Sequence, residues 1–257
     1  MEYSRLSESV KIKQVSETDT EGVFEIEGLY SGYGLTLGNA LRRVLLSSLP
    51  GACVTQIKIK NVKHEFTTID GVMEDVVEIA LNMKKIRFEF HADEAQVLSL
   101  DVKGEKQVTA GDIKTNAQVR VINPETHIAT ITDKKTEFSM EITVEKGLGY
   151  VPVEARKVEK LPVGVIAIDA IFTPVVNVNF TVENMRVGER TDFNRIKLVI
   201  ETDGSIKPSV ALHKAANILR DHFSKIAMIE EGEEMASSEE AEESEAEEKP
   251  KKKTTKK

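Results

Sequence analysis

The most informative segment of this chain reads YSGYGLTLGNALRRVLLSSLPGAC, residues 30–53. Its central part predicts an amphipathic helix, because at about 100° per residue one arc of roughly 140° carries only apolar side chains. That arc consists of Leu37, Ala40, Leu41, Val44 and Leu45. Such an arc is expected to be buried, so this helix needs an apolar surface to pack against.

The opposite face of the same helix carries an unusual set of side chains. Asn39, Arg42, Arg43 and Leu46 occupy a sector of roughly 140° to 240°, where a solvated helix normally presents Glu, Lys and Gln. Two arginines around a leucine indicate a docking surface. The ordinary alternative is a pair of solvated arginines in weak surface ion pairs, and Leu46 alone does not decide between the two.

Composition and charge limit the classes of function. The chain has 257 residues, 40% of them hydrophobic, and a net charge of -8. Residues 230–257 hold 11 Glu and 6 Lys, a net -5, which leaves -3 for the body. A near-neutral body is not typical of a protein held to nucleic acid mainly by its own phosphate contacts, so we expect protein partners.

The compartment follows from cysteine content and from the apolar runs. Cys53 is the single cysteine, which excludes an intrachain disulfide and a Cys-cluster metal site and fits a reducing cytoplasm. The start of the chain lacks a basic stretch followed by an apolar core, and no run of about 18 apolar residues occurs. We therefore expect a cytoplasmic protein that does not span a membrane.

The segments around the first helix predict a strand, a glycine turn and a helix in that order. Residues 10–15 and 22–30 alternate as strands, with Phe24, Ile26 and Gly28 on one face of the second. Thr36 is the predicted N-cap of the helix, which should end at residues 49–51.

A dinucleotide-binding turn is the competing interpretation of the glycines. Gly32, Gly34 and Gly38 follow a strand and open a helix, but their spacing is G-x-G-x-x-x-G rather than G-x-G-x-x-G. The preceding strand is half polar, and the next strand ends in Lys58 and Lys60 instead of a ribose-binding acid. We expect no cofactor here.

The middle of the chain is predicted to be mostly strand. After a strand at 54–59, a loop from residue 64 leads into a helix over 72–83, with an apolar stripe interpreted as core: Val76, Val77, Ala80 and Leu81. Residues 86–172 alternate as short strands. Three more runs, 166–172, 176–182 and 196–200, could return the chain to the first sheet and make the middle an insertion.

The last helix is predicted from Pro208, a residue suited to the first helical position, to about Ile229. Its wide apolar arc requires a deep groove or a second copy of the chain, and an isologous dimer is the natural solution. His222 on this arc is interpreted as a core histidine. From Glu230 the low-complexity Glu, Ser and Lys tail is expected to be disordered.

No pattern typical of a catalytic chain is present. The five histidines are scattered and form no H-x-x-x-H pair, so a zinc site has no support. A nucleophile elbow, a kinase signature and an Asp-x-Asp metal cluster are missing too. We therefore expect no metal, no cofactor and no catalytic residue in this chain.

Several motifs together resemble the alpha subunit of bacterial RNA polymerase. The strongest is GYGLTLGNALRRVLLSSLPG at residues 32–51, and five shorter ones follow in the right order: HEF at 64–66, GVMEDV at 71–76, GYVP at 149–152, RTD at 190–192 and GSIKP at 204–208. The resemblance covers about residues 1–229. It identifies the chain as similar to a family whose members are non-catalytic subunits of a nucleotidyltransferase, the DNA-directed RNA polymerase of transcription.

The resemblance implies an α+β assembly domain in two parts. A dimerisation subdomain would comprise residues 1–52 and 174–229, a β-rich insertion residues 53–173, and the tail residues 230–257. In this family the first and last helices pack against those of a second copy. The implied dimer interface consists of Leu37, Leu41, Val44, Leu45, Ile218, Leu219, Phe223 and Ile226.

The same resemblance implies two docking surfaces, so that the dimer is the scaffold on which the catalytic subunits assemble. The surface for polymerase β would comprise Asn39, Arg42, Arg43, Leu46, His64, Glu65, Gly71, Glu74 and Asp75, with Arg43 foremost. The surface for β′ would comprise Lys84, Pro174, Val175, Arg190 and Lys197.

The chain departs from the family at its C-terminal end. Most members continue into a helical domain that binds promoter DNA and activators, whereas this sequence stops at Lys257. We therefore expect DNA contact only indirectly, through the holoenzyme. Two other classes stay open: a dinucleotide-dependent enzyme, for which nicotinamide should raise the melting temperature, and a free-standing β-rich binding module, which should be monomeric.

Overall fold

The computed structural model describes residues 9–156 and 162–246, with side chains through residue 228. The helices are α1 Tyr33–Ser47, α2 Val76–Met83 and α3 Pro208–Ala246. The strands are β1 Lys11–Glu17, β2 Glu21–Leu29, β3 Pro50–Ile59, β4 Phe88–Phe90, β5 Gln96–Lys103, β6 Lys106–Thr109, β7 Val119–Val121, β8 His127–Ile131, β9 Glu137–Leu148, β10 Tyr150–Val151, β11 Val165–Ala167, β12 Ala170–Ile171, β13 Val175–Val187 and β14 Arg190–Thr202. Mixed α+β structure was predicted and is confirmed.

One antiparallel sheet is built from the two ends of the chain, in the order β1-β2-β14-β13. The predicted alternation of β2 is confirmed, and the face with Phe24, Ile26 and Gly28 is the buried one. They share the core with Ile196, Leu198 and Ile200 of β14, each 0% exposed. Helix α1 lies on this sheet against β13 and β14.

Two glycines allow α1 to approach β13 closely. A Cβ on Gly38 would lie 2.5 Å from the Phe180 ring, and a Cβ on Gly34 would lie 2.6 Å from Val182 Cγ1. Such distances leave no room for any larger residue. Both glycines are buried together with Leu41 and Leu45, so the predicted apolar arc is in part a glycine-lined contact.

The start of α1 differs from the prediction. The helix begins at Tyr33, with Gly32 as N-cap at φ 86°, so Thr36 lies inside it and is not the cap. The capping acceptor comes from a distant strand: the N–H groups of Gly32 and Gly34 donate to Asn194 Oδ1 at 2.9 and 3.4 Å. Pro50 and Gly51, predicted to end the helix, open β3 instead.

A second antiparallel sheet, in the order β11-β3-β9-β5, lies in the middle of the chain with three two-stranded ladders, β4-β7, β6-β8 and β10-β12. Its core contains Ile57, Ile79, Met83, Ile128 and Ile142, each at most 1% exposed. Of the three runs expected to return to the first sheet, only those in β13 and β14 do so. The first pairs elsewhere, β11 with β3 and β12 with β10, because alternation predicts a buried face but not a partner strand.

Helix α2 is shorter than predicted and buries a different stripe. Asp75 is its N-cap, accepting from the Glu78 N–H at 2.7 Å, so the helix starts at Val76 rather than residue 72. The buried positions are Val76, Ile79 and Met83. Val77 and Leu81, predicted to be core, are 37% and 52% exposed.

Helix α3 begins at Pro208, as predicted, but continues to Ala246 instead of ending near Ile229. Glutamate and alanine are good helix formers, which explains why residues 230–246 extend the helix where a disordered tail was expected. The rest of that tail, 247–257, lies outside the described residues, as do residues 1–8. His222 is exposed, so its assignment as a core histidine is wrong.

The chain divides after Ala215 into two compact units. Within the first unit Ala211 and Ala215 of α3 are each 0% exposed. The second unit begins with the exposed part of the same helix, where Phe223 is 62% and Ile226 59% exposed. No helix in the described part of the chain is long and apolar enough to cross a membrane.

Candidate docking surfaces

The outer face of α1 carries the arginines that the sequence singled out. Asn39, Arg42 and Arg43 are exposed and Leu46 is half-buried. Within the ranges 9–156 and 162–228, no acidic side chain pairs with either arginine. The solvated-pair interpretation would predict a neighbouring Glu or Asp, and the helix itself has none. Two guanidinium groups, each with five N–H donors in a planar fork, are therefore available to donate hydrogen bonds to carboxylate or carbonyl oxygens of another molecule.

The inner face of α1 is occupied by the chain itself. Leu41 and Leu45, both predicted for the dimer interface, are 7% and 0% exposed and are buried within the chain itself. Leu37 and Val44, also predicted for that interface, are half-buried and keep part of their surface free. Ile218 and Leu219 on α3 are half-buried in the same way.

The loop before α2 presents large apolar side chains to solvent. Phe66 is 81% and Met73 77% exposed. His64 and Glu65 beside them are exposed as well, and the Thr67 hydroxyl donates to the His64 carbonyl at 2.6 Å, which holds the turn. A groove of about 220 Å³ next to Phe66 is lined on its other sides by residues of α2 and by Val153, Ile166, Ile168 and Asp169. Two large apolar side chains exposed to this degree make the loop a candidate interaction surface.

Glu74 turns inward rather than toward a partner. Its carboxylate accepts from the Thr130 N–H at 2.6 Å and lies 2.7 Å from His127 Nε2, with 13% of the side chain exposed. Burial by itself raises the pKa of Glu74, but the Thr130 and His127 hydrogen bonds outweigh it, and the net pKa is lowered. Glu74 thus fixes the loop to β8. Gly71, at φ 78° and packed against Thr136, also holds the loop in place.

The residues predicted for β′ docking differ in burial and in the bonds they already make. Lys84 at the end of α2 is paired with Asp169 at 2.8 Å. Pro174 and Val175 are buried. Arg190 donates two hydrogen bonds to the Asp192 carboxylate, at 3.0 and 2.7 Å. Its guanidinium also lies over the rings of Tyr30 and Phe193. Of this set only Lys197, also on β14, is exposed without a bond to another described residue.

The glycine turn at α1 does not have the properties of a phosphate site. Asn194 occupies the N–H groups that a phosphate would need, and Gly34 and Gly38 are used for packing against β13. Among the described residues no cluster of three or more His, Cys, Asp or Glu is arranged to hold a metal. Burial raises the pKa of Cys53 to about 12, so its thiol stays protonated and unreactive at neutral pH.

Sequence reasoning missed two groups of residues that shape these surfaces. Asn194 on β14, 7% exposed, accepts hydrogen bonds from the first N–H groups of α1. No local sequence pattern predicts an acceptor that is 162 residues away from Gly32. Leu148, Tyr150 and Ile171 are large apolar residues that the structure leaves exposed near the end of α1. The available signal that this stretch is irregular was Gly147 and Gly149 before Tyr150 and Pro152 after it.

The chain is similar to known proteins both in its middle part and over most of its length. The family model described as "RNA polymerase Rpb3/RpoA insert domain" matches residues 57–173. A DNA-directed RNA polymerase subunit alpha from Symbiobacterium thermophilum is 48% identical over 236 residues, which cover 91% of this chain and 75% of the relative. Those from Alkaliphilus oremlandii and Moorella thermoacetica are 47% and 50% identical, covering 84% of this chain and 68% and 69% of the relatives. The chain therefore belongs to the family of DNA-directed RNA polymerase alpha subunits.

Proposed function

We propose that this chain is a non-catalytic assembly subunit of a cytoplasmic DNA-directed RNA polymerase. Two copies pair, one copy docks the β subunit and the other docks β′. Family membership supports the polymerase assignment. The boundaries predicted for the two subdomains are part of the same proposal.

The observation that carries the docking role is the outer face of α1. Arg42 and Arg43 are exposed and lack an acidic partner among the described residues, while the opposite face of the helix is fixed to β13 through Gly34 and Gly38. A rigid helix that presents two free guanidinium groups is suited to charge-assisted hydrogen bonds across an interface. We assign Arg43, with Asn39 and Leu46, to the β-binding surface.

The loop of residues 64–75 is assigned to the same partner. His64, Glu65 and Phe66 are exposed, and Gly71, Glu74 and Asp75 hold the loop and the start of α2 in place. For β′ we keep the predicted residues with a narrower role: Lys197 is free for contact, whereas Lys84 and Arg190 would have to exchange or share Asp169 and Asp192.

Co-expression with the β subunit of the same organism tests this proposal. Arg43→Ala should leave the dimer folded but weaken β binding by about tenfold to a hundredfold. Removing one partner of a buried charged pair costs about 2–5 kcal/mol of binding free energy, and less where water can enter the interface. Light scattering of the purified complex should give two copies of this chain per β for the wild type.

Arg120→Ala is the matched control, since it removes the same charge from an exposed arginine, 77% accessible, on β7. It should bind β like the wild type. Unchanged recovery of β with Arg43→Ala would remove α1 from the docking surface. A wild-type chain that ignores β altogether would overturn the scaffold role.

A further inference from the structure

Three exposed apolar side chains lie on β9, β10 and β12, outside the docking residues already assigned. Leu148 is 57%, Tyr150 60% and Ile171 40% exposed. Tyr150 and Ile171 are directly opposed across the β10-β12 pair, so they share one face of that ladder. We call Leu148, Tyr150 and Ile171 the β10–β12 platform.

The platform borders the arginine face of α1. The Thr173 hydroxyl, two residues after Ile171, donates to the Leu46 carbonyl at 3.3 Å. On the other strand, a Cβ on Gly149 would lie only 3.6 Å from the Ser47 carbonyl. Both strands of the platform therefore abut the last turn of the helix that carries Arg42, Arg43 and Leu46.

The far side of the platform leads to the groove beside Phe66. The Val153 N–H, two residues after β10, donates to Asp169 at 3.1 Å, and Asp169 is paired with Lys84 at 2.8 Å. Val153, Asp169 and Lys84 all line the groove of about 220 Å³, together with Phe66, Val77 and Leu81. These contacts connect α1, the platform and α2 in sequence.

Without the platform, the two segments assigned to β would be separate surfaces. Helix α1 ends just before Pro50 and the loop at residue 64 follows Ile59, so strand β3 lies between them. Ten residues of strand span about 30 Å. The exposed platform fills that gap with apolar area, and it is held rigidly, because the ring of Phe172 packs onto Gly147 and its carbonyl onto Gly51.

We propose that the β10–β12 platform is a docking surface for the same protein partner that binds Arg42 and Arg43, and that it joins α1 and the groove beside Phe66 into one continuous interface. The partner surface carries apolar side chains bordered by carboxylates, as the apolar platform and the two unpaired arginines beside it require. This inference rests on the proposed function, with β as that partner. Tyrosine is also a residue type that concentrates binding energy at interfaces.

The test is the affinity of full-length chain for purified β, measured for Tyr150→Thr, Ile171→Thr and their combination. Threonine keeps the β-propensity of both positions while removing most of the apolar area. The double variant should bind β at least tenfold more weakly, remain dimeric and melt within a few degrees of the wild type. Tyr150→Phe, which keeps the ring, should bind nearly as well as the wild type.

Val97→Thr is the matched control: Val97 is 65% exposed on β5, the edge strand opposite β11 in the second sheet. It should leave binding unchanged. Amide hydrogen exchange gives a second measurement that needs no mutation, since residues 148–151 and 170–171 should exchange more slowly in the complex with β.

The outcomes separate the two proposals. Wild-type affinity of the double variant, or no slowing of exchange at residues 148–151, overturns the platform, while weak binding by Arg43→Ala in the same experiment would leave the scaffold role standing. A wild-type chain that does not bind β overturns both. If the double variant melts early, Tyr150→Thr alone, at the more exposed position, carries the measurement.

Discussion

At the scale of single residues, the Lys84–Asp169 pair connects α2 to the segment before β12. Asp169 accepts from Lys84 at 2.8 Å and from the Val153 N–H at 3.1 Å, and these hydrogen bonds, Lys84 first, lower its pKa in the folded state. A lowered folded-state pKa means that the pair stabilises the fold above the unfolded pKa of about 3.9 and that this contribution is lost as the pH falls through the folded value.

Asp169→Asn should therefore cost about 1 kcal/mol of unfolding free energy at pH 7, the upper range for a partly exposed pair. The cost should shrink as the pH falls below about 4, because the wild type then loses the same charge. Urea denaturation of both proteins from pH 7 to pH 3.5 measures the difference. A gap between them that stays constant over this range would contradict the assignment.

The close contact between α1 and the sheet requires a glycine at position 38. An alanine there gains up to about 1 kcal/mol of helix propensity, but its Cβ would lie 2.5 Å from the Phe180 ring. Overpacking of this kind costs about 1–3 kcal/mol, so Gly38→Ala should be destabilising overall. Denaturant titration should show that Phe180→Leu restores part of the loss, whereas Asn39→Ala on the exposed face should change stability by less than about 0.5 kcal/mol. A stabilised Gly38→Ala protein would exclude this packing role.

At the scale of elements, local sequence patterns predicted the features that depend only on neighbouring residues. The two faces of α1 and the alternating face of β2 follow from the periodicity of neighbouring residues, and the structure confirms both in outline. The start of α1 could not be predicted, because the acceptor for its first N–H groups is Asn194 on the distant strand β14. Likewise, the alternation at residues 166–172 gave no information about strand partners, and these residues pair with β3 and β10 instead of the first sheet.

The candidate site likewise contains residues that local patterns predict and residues that only the fold brings together. Exposure of Arg42 and Arg43 could be predicted from a helical wheel, since it depends on α1 alone. The inward turn of Glu74 depends on Thr130 and His127, which follow it by more than 50 residues. Tyr150 and Ile171 become neighbours only when β10 pairs with β12. Docking surfaces composed of several elements are therefore recognised in part from sequence and completed only by the fold.

At the scale of the whole molecule, the proposed dimer would bury apolar area that one copy leaves in water. Phe223 and Ile226 on α3 are 62% and 59% exposed, and Leu37 and Val44 on α1 keep part of their surface free. Burying a large apolar side chain contributes about 1.5–3 kcal/mol, and in an isologous dimer each side chain counts twice. Burial of these positions would therefore stabilise the proposed dimer.

Phe223→Ser combined with Ile226→Ser should weaken self-association at least a hundredfold and give a monomer at micromolar concentration. Sedimentation or light scattering over a dilution series measures the shift, and circular dichroism establishes that the helices persist. Lys225→Ala, on the same stretch of α3, is the control and should remain dimeric. Because β must find a paired scaffold in the proposed assembly, the monomeric variant should also fail to recover β, although Arg43 is intact. A double variant that stays dimeric would mean that α3 does not form the interface, and the second copy would have to pack elsewhere.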